Sequence, residues 1–165
     1  MSMNTVPERL AALRAAMAAN GVAVYLIPVG DPHASEYLPC HYTSLTWFSG
    51  FHGENSNFVV TRTESALWAD GRYFVQAEKE IAGTEIKLQR MGEPGVPTVE
   101  EYCANALNEG EALGLCGLTA STALVNDLKK ALEKKGASIK TLNLEDELWT
   151  EGRPARPATP AWILP

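Results

Sequence analysis

The sequence predicts an α/β fold, a mixed sheet flanked by helices, and three observations carry that prediction. Segments with helical and with strand periodicity alternate along the chain. Residues 22–27 are almost continuously apolar and include the β-branched Val22, Val24 and Ile27, as a strand covered on both faces requires. The apolar runs at 57–61 and 65–69 are separated only by Arg62-Thr63-Glu64, a polar turn suited to an antiparallel hairpin.

Each element follows from local chemistry. Thr5 and Glu8 form a capping box, Pro7 sits in the first turn, and Leu10, Leu13 and Met17 make one apolar stripe, so a helix starts here and Gly21 stops it. The buried strand at 22–27 and the hairpin come next. Tyr73, Phe74, Ala77 and Ile81 then share a helical face that Asp70 can cap. Residues 84–90 alternate Ile86 and Leu88 with polar neighbours, the pattern of a half-exposed strand. After the loop at 92–97, Thr98 and Glu101 form a second capping box for a helix to about residue 107. A strand at 112–116, a helix at 121–135 with Leu124, Leu128 and Leu132 in register and Gly136 as its stop, and a strand at 138–142 complete the order. Residues 1–152 thus form one domain. Pro154, Pro157, Pro160 and Pro165, interleaved with Arg153 and Arg156, make residues 153–165 a stiff proline-rich linker. The apolar triplet Trp162-Ile163-Leu164 suggests that a longer polypeptide continues from it.

At 165 residues the chain is long enough to bury a single core without disulfides or a structural metal. Fourteen Lys+Arg against 20 Asp+Glu give a net charge of -6. With no basic cluster to offset it, nucleic acid is excluded as a partner. The longest uncharged stretch, residues 15–30, is broken by Asn20-Gly21 and Pro28 and is too short for a membrane span. Cys40, Cys103 and Cys116 are odd in number and lack a C-x-x-C pair, so they read as reduced core residues of an intracellular, cytoplasmic protein.

His33, His41 and His52 fall in one window with Asp31, Glu36, Cys40 and Glu54, yet their spacings are not those of a zinc site, and Cys40 beside His41 is not a nucleophile and base pair. No phosphate-binding glycine pattern is present. Asp31-Pro32-His33 has two readings: a capped helical turn, or a ligand-binding loop at the end of a buried strand. Trp68 and Phe74 suit a core, whereas Arg72 and Tyr73 can reach a neighbouring surface.

These segments together resemble a known family. Asp31-Pro32-His33 with Ser35-Glu36-Tyr37, Ser49-Gly50-Phe51, Val59-Val60-Thr61, Leu67-Trp68 and Asp70-Gly71-Arg72-Tyr73-Phe74 with Gln76-Ala77 occur in this order in the N-terminal domain of the long, three-domain Xaa-Pro aminopeptidases. Gly95, Pro97, Val99-Glu100-Glu101, Leu148-Trp149 and Arg153-Pro154 extend the likeness. The resemblance implies a ribonuclease H-like fold, the N-terminal domain shared with creatinase and prolidase. It further implies a second domain after the linker and a catalytic domain beyond it, where two divalent metals, expected as manganese, activate a hydroxide for attack on the carbonyl before proline. No catalytic, cofactor-binding or metal residue is carried onto this chain, and the isolated chain is expected to be inactive. The domain's implied role is to wall the substrate cleft and to support subunit contacts, with the rest of its own chain, a second copy in a homodimer and the peptide substrate as partners. Asp31, His33, Trp68, Asp70, Arg72 and Tyr73 are the candidate cleft or interface residues.

Three segments depart from the family pattern. Tyr42-Thr43-Ser44 stands where an acid and an arginine are usual, Glu54-Asn55-Ser56 replaces a run of small residues, and Gly114-Leu115-Cys116-Gly117 replaces Gly-Val-Asp-Pro. They leave a different function class open, a stand-alone or pseudoenzyme interaction module on the same scaffold. Nuclease chemistry, the third reading, needs carboxylates converging on two metals, and the strands carry few acids.

Overall fold

The computed structural model describes residue 3 and residues 5–163; Leu164 and Pro165 of the predicted linker lie outside them. Six strands form one mixed sheet: β1 Val24–Pro28, β2 Asn57–Thr61, β3 Ser65–Ala69, β4 Lys87–Arg90, β5 Ala112–Leu115 and β6 Ser138–Thr141. Their order is β4-β3-β2-β1-β5-β6, in which β2 alone runs antiparallel. The helices are α1 Val6–Ala19, α2 Ser44–Ser49, α3 Phe74–Glu80, α4 Val99–Asn105, α5 Thr122–Glu133 and α6 Leu144–Leu148.

Strand alternation divides the core in two. Tyr25, Ile27, Phe58, Val60, Leu67 and Ala69 point to one face, where they meet Leu10, Leu13 and Met17 of α1, Leu45 and Phe48 of α2, Ala77 of α3 and Leu144 of α6. Val24, Leu26, Val59, Ala66, Trp68, Leu113 and Leu115 point to the other and pack on Cys103 of α4 and on Leu128 and Leu132 of α5. The central strand β1 is buried along its whole length, as its near-continuous apolar sequence requires.

Both predicted capping boxes form. Thr5 accepts from the Glu8 amide while Glu8 accepts from the Thr5 amide at 2.9 Å, and Thr98 and Glu101 do the same. The hairpin turns at Arg62-Thr63-Glu64, where Thr61 Oγ1 accepts from the amides of Thr63 and Glu64. Other expectations need correction. Strand β1 begins at Val24 rather than 22, because the amides of residues 20–22 still close the end of α1. Strand β4 begins at Lys87 rather than 84: Thr84 Oγ1 donates to Ile81 O and accepts from the Ile86 amide, which commits residues 81–86 to a turn. Asp70 does not cap α3, whose N-cap is Tyr73 without any side-chain bond. Cys103 and Cys116 are buried, but Cys40 is exposed, in a single 3-10 turn at Cys40–Tyr42. That turn, α2 and α6 were not anticipated, being too short to show a helical period.

Among the described residues no helix is long and apolar enough to cross a membrane. The segment after residue 152 starts against the body of the domain. The Arg153 side chain, 9% exposed, pairs with Asp146, donates to His41 O at 3.1 Å and lies over the Trp149 ring.

Candidate functional site

Because β1, β3, β4, β5 and β6 all run the same way, their carboxyl ends and the loops that follow collect on one edge of the sheet. Open α/β sheets bind ligands there, where neighbouring connections diverge. In this protein β1 is the divergence point, antiparallel to β2 on one side and parallel to β5 on the other. A cleft of about 790 Å³ opens between the loops after β1 and β5, with Asp31, Glu54, Asn55, Arg72, Leu118 and Ser121 among its lining. The two loops touch at Gly30, where a Cβ would stand 2.5 Å from the Thr119 carbonyl oxygen, so only glycine lets them approach this closely.

Asp31 ends the β1 loop as a turn organiser. Its Oδ1 accepts from the amides of His33, at 3.0 Å, and Ser35, at 2.9 Å, and its backbone oxygen accepts from Ala34, which takes a left-handed φ of 52°. This is the turn reading of Asp31-Pro32-His33, but no helix follows. The amide donors, those of Ser35 first, hold the Asp31 carboxyl below its ordinary range, so it is an anion at the base of the cleft.

The opposite wall is a second ordered cluster. Asp70 accepts from the Arg72 amide at 2.9 Å, pairs with the Arg72 guanidinium at 2.7 Å and accepts from Asn55 Nδ2 at 3.0 Å. Arg72 is the main reason the Asp70 carboxyl lies well below the carboxylate range, with Asn55 next. Asn55 reaches it from a left-handed φ of 47°. Tyr73 donates to Glu54 at 3.4 Å, its ring lies against Phe51, and the Arg72 guanidinium sits 5.2 Å over it. The 50–56 and 70–73 loops are therefore tied together before any ligand arrives. Arg72 reaches the cleft with its charge already matched, and Asp31, Glu36 and Glu54 make the rim acidic.

Of the six candidates, Asp31 and Arg72 line the cleft, Asp70 aims Arg72, and Tyr73 steadies Glu54. His33 is exposed and is not part of the cleft lining. Trp68 sits elsewhere: it is 1% exposed on the opposite face, edge-on to Tyr102, with its indole N–H donating to Pro97 O at 2.9 Å, the placement of a core residue. Sequence reasoning noted Asn55 only as a departure, and Glu54 as a departure and as a member of the histidine window. The structure gives Asn55 a role in holding Asp70, a partner 15 positions away that no local signal marks. A second missed group is the buried Glu145, whose carboxylate meets the Tyr25 hydroxyl beneath the sheet.

Among the described residues no group of three or more His, Cys, Asp or Glu could hold a metal ion. The donor set does not fit a two-metal centre. The arrangement can bind and orient a ligand by charge and hydrogen bonds.

Comparison with known proteins carries the assignment further. The family model for the creatinase/prolidase N-terminal domain matches residues 9–148. The chain belongs to this family. Among curated relatives, aminopeptidase P2 of Arabidopsis thaliana is 39% identical across 93% of this chain and 22% of its own length. A probable Xaa-Pro aminopeptidase P of Sordaria macrospora is 38% identical across 99% of this chain and 27% of its own. The chain thus spans about a quarter of the length of the curated relatives it matches. Among solved structures, the X-prolyl aminopeptidase of Caenorhabditis elegans, described as a cytosolic enzyme with a di-nuclear active site, superposes with a TM-score of 0.83 at 33% identity, over 92% of this chain and 26% of that one. The N-terminal domain of the cytoplasmic peptidase PepQ of Mycobacterium tuberculosis gives a TM-score of 0.61 at 26% identity, over 85% and 97%. The mixed sheet flanked by helices predicted from sequence, six-stranded in the structure, is the fold of these neighbours.

Proposed function

We propose that this chain is the non-catalytic N-terminal domain of a cytoplasmic, metal-dependent Xaa-Pro aminopeptidase, that residues 1–152 form the domain, and that residues 153–165 lead toward the remainder of the enzyme. In this reading two divalent metals, manganese as the expected pair, reside in the remainder, which releases the N-terminal residue from peptides with proline second. The domain walls the approach to that site and supports contact between two copies. The observation that supports this reading best is the preordered edge at the carboxyl ends of the strands, where Asp31, Glu54 and Arg72 face one cleft in a chain that aligns over nearly its whole length with aminopeptidases P. The acidic rim suits a peptide's protonated amino terminus.

The test uses the full-length enzyme. Arg72→Ala is expected to raise KM for an X-Pro peptide or to loosen the dimer, while His33→Ala, exposed and outside the cleft lining, is expected to act only through subunit contact. Unchanged kcat/KM and unchanged oligomer size would remove that residue from any functional role. The purified 165-residue chain is expected to leave X-Pro peptides intact with or without manganese, and metal-dependent release of the first residue by it would overturn the domain assignment.

A further inference from the structure

The buried pair of Tyr25 and Glu145 lies away from the cleft and is not used by the function proposed above. Tyr25 is the second residue of β1, and its ring crosses β5 at Gly114, where a Cβ would come within 2.8 Å of it. Its hydroxyl reaches Leu142 O at 3.1 Å, accepts from the Leu144 amide at 3.1 Å and meets the Glu145 carboxylate. A phenol has one proton. With Glu145 ionised, Leu142 O and Glu145 compete for it. With Glu145 protonated, the carboxyl donates to Tyr25, Tyr25 donates to Leu142 O, and each contact is satisfied. Glu145 is 3% exposed, so the second proton supplies what water cannot.

The next residue acts on the surface. Asp146 pairs with Arg153 and, at 3.4 Å, with Arg156. Arg156 Nε donates to His41 Nε2 at 3.2 Å, and His41 Nδ1 meets Pro154 O at 2.8 Å. A small cavity of about 10 Å³ lies between the two levels, bounded by Tyr42, Cys116, Glu145, Asp146, Arg153 and Arg156. The five-residue α6 therefore carries a buried acid on one side and the anchor of the outgoing chain on the other.

We propose that α6 is a proton-controlled latch: the proton on Glu145 fixes the helix under β1, and its loss frees α6 and with it the Arg153–Arg156 segment. The groups facing Glu145 are Tyr25 from β1, Cys116 after β5, and Asp146 and Arg153 beside it, with Tyr42 and Arg156 across the cavity. Burial disfavours the carboxylate most and Asp146 adds to this, while the Tyr25 hydroxyl and Arg153 favour it; burial prevails and pushes the carboxyl up to about 7. The ionised carboxylate gains by turning toward Arg153 and water, a movement that breaks the Asp146 contacts. The direction of the chain beyond residue 152 thus depends on pH near neutrality.

The experiment is a titration of the 165-residue chain by NMR, following the Glu145 side-chain carboxyl carbon and the Arg153 Nε–H. Both are expected to move with one shared midpoint near pH 7, and Arg153 Nε–H protection is expected to fall roughly tenfold across it. Glu145→Gln keeps the shape and cannot ionise; it is expected to hold Arg153 protected throughout and supplies the baseline for hydroxide-catalysed exchange. Asp146→Asn is expected to free Arg153 at every pH while lowering the Glu145 midpoint. A Glu145 midpoint in the ordinary carboxylate range, an Arg153 signal that does not follow Glu145, or a step that persists in Glu145→Gln would each overturn the latch. Should the Gln variant fail to fold, coincidence of the two wild-type midpoints decides alone.

Discussion

Both faces of the sheet are covered by helices, four on one and two on the other, but they solve different problems. Under α4 and α5 the buried surface is almost wholly hydrocarbon and thiol, and the indole N–H of Trp68 meets Pro97 O. Under α1, α2, α3 and α6 the sheet also takes in Ser49, Ser65, Tyr25 and Glu145, each tied to a specific partner. A dry face depends on shape and volume. A face with buried polar groups depends in addition on where its protons are. The first should be indifferent to pH and sensitive to truncation, and the second sensitive to both.

The largest effect tests the dry face. Trp68→Ala removes a fully buried indole and is expected to cost about 3–5 kcal/mol of unfolding free energy. The cost, read from urea denaturation, is expected to be equal at pH 5 and pH 8. A cost that changed with pH would break the comparison, because it would show that protons on the other face couple across the sheet.

The second effect is the pH dependence itself. The Glu145 carboxyl lies near 7 in the folded chain, above its ordinary 4.5, because it is buried. The folded state therefore binds the proton more tightly, and its contribution is fully present below pH 4.5 and lost as pH rises to about 7. That loss is worth about 3 kcal/mol. Asp31 and Glu85 act in the opposite sense: hydrogen bonds, from Ser35 and from Arg14 respectively, hold them low, so their contribution is present above the ordinary carboxylate range and disappears as acid protonates them. Stability is thus expected to peak around pH 5 and to fall toward pH 8. Glu145→Gln should flatten the fall, and a profile unchanged in that variant would remove Glu145 as its cause.

Gly114→Ala sharpens the comparison at one atom. The added Cβ would stand 2.8 Å from the Tyr25 ring and 2.9 Å from Val22, on the side of β5 that belongs to the polar face. Overpacking of this kind costs about 1–3 kcal/mol. Because the ring must shift against the contacts that protonated Glu145 completes, the cost is expected to shrink between pH 5 and pH 8 in step with Glu145. An equal cost at both values would mean that the ring and the acid are not coupled.

The difference between the faces also explains what could be read in advance. Elements whose identity rests on repetition were legible: the stripe of Leu10, Leu13 and Met17, the capping boxes at Thr5 and Thr98, and the apolar run of β1. Single-residue chemistry was not. Nothing near Asn55 announces that it holds Asp70 across 15 positions, and nothing near Glu145 announces a phenol 120 positions away. Such partners depend on which strands become neighbours, and periodicity carries no information about that. Asp31 was legible as a turn former, but whether its turn opened a helix was decided by the approach of the two loops at Gly30.

The smallest effect lies where the two faces meet, at the cleft edge. Asp70→Asn keeps the side-chain shape and an acceptor for the Arg72 amide but removes the charge opposite the guanidinium. Surface pairs of this kind contribute at most about 1 kcal/mol, so stability should change less than in any variant above. The ordering of the cleft wall should change more. Arg72 lies over Tyr73, and Tyr73 is bound to Glu54, so a released guanidinium loosens both loops without unfolding either. The expected readout is loss of the Arg72 Nε–H signal and faster exchange at residues 54–56, with the Tm unchanged. A lower Tm with Arg72 still ordered would mean that Asp70 supports the fold and that the cleft wall is held by the Arg72 and Tyr73 stack instead.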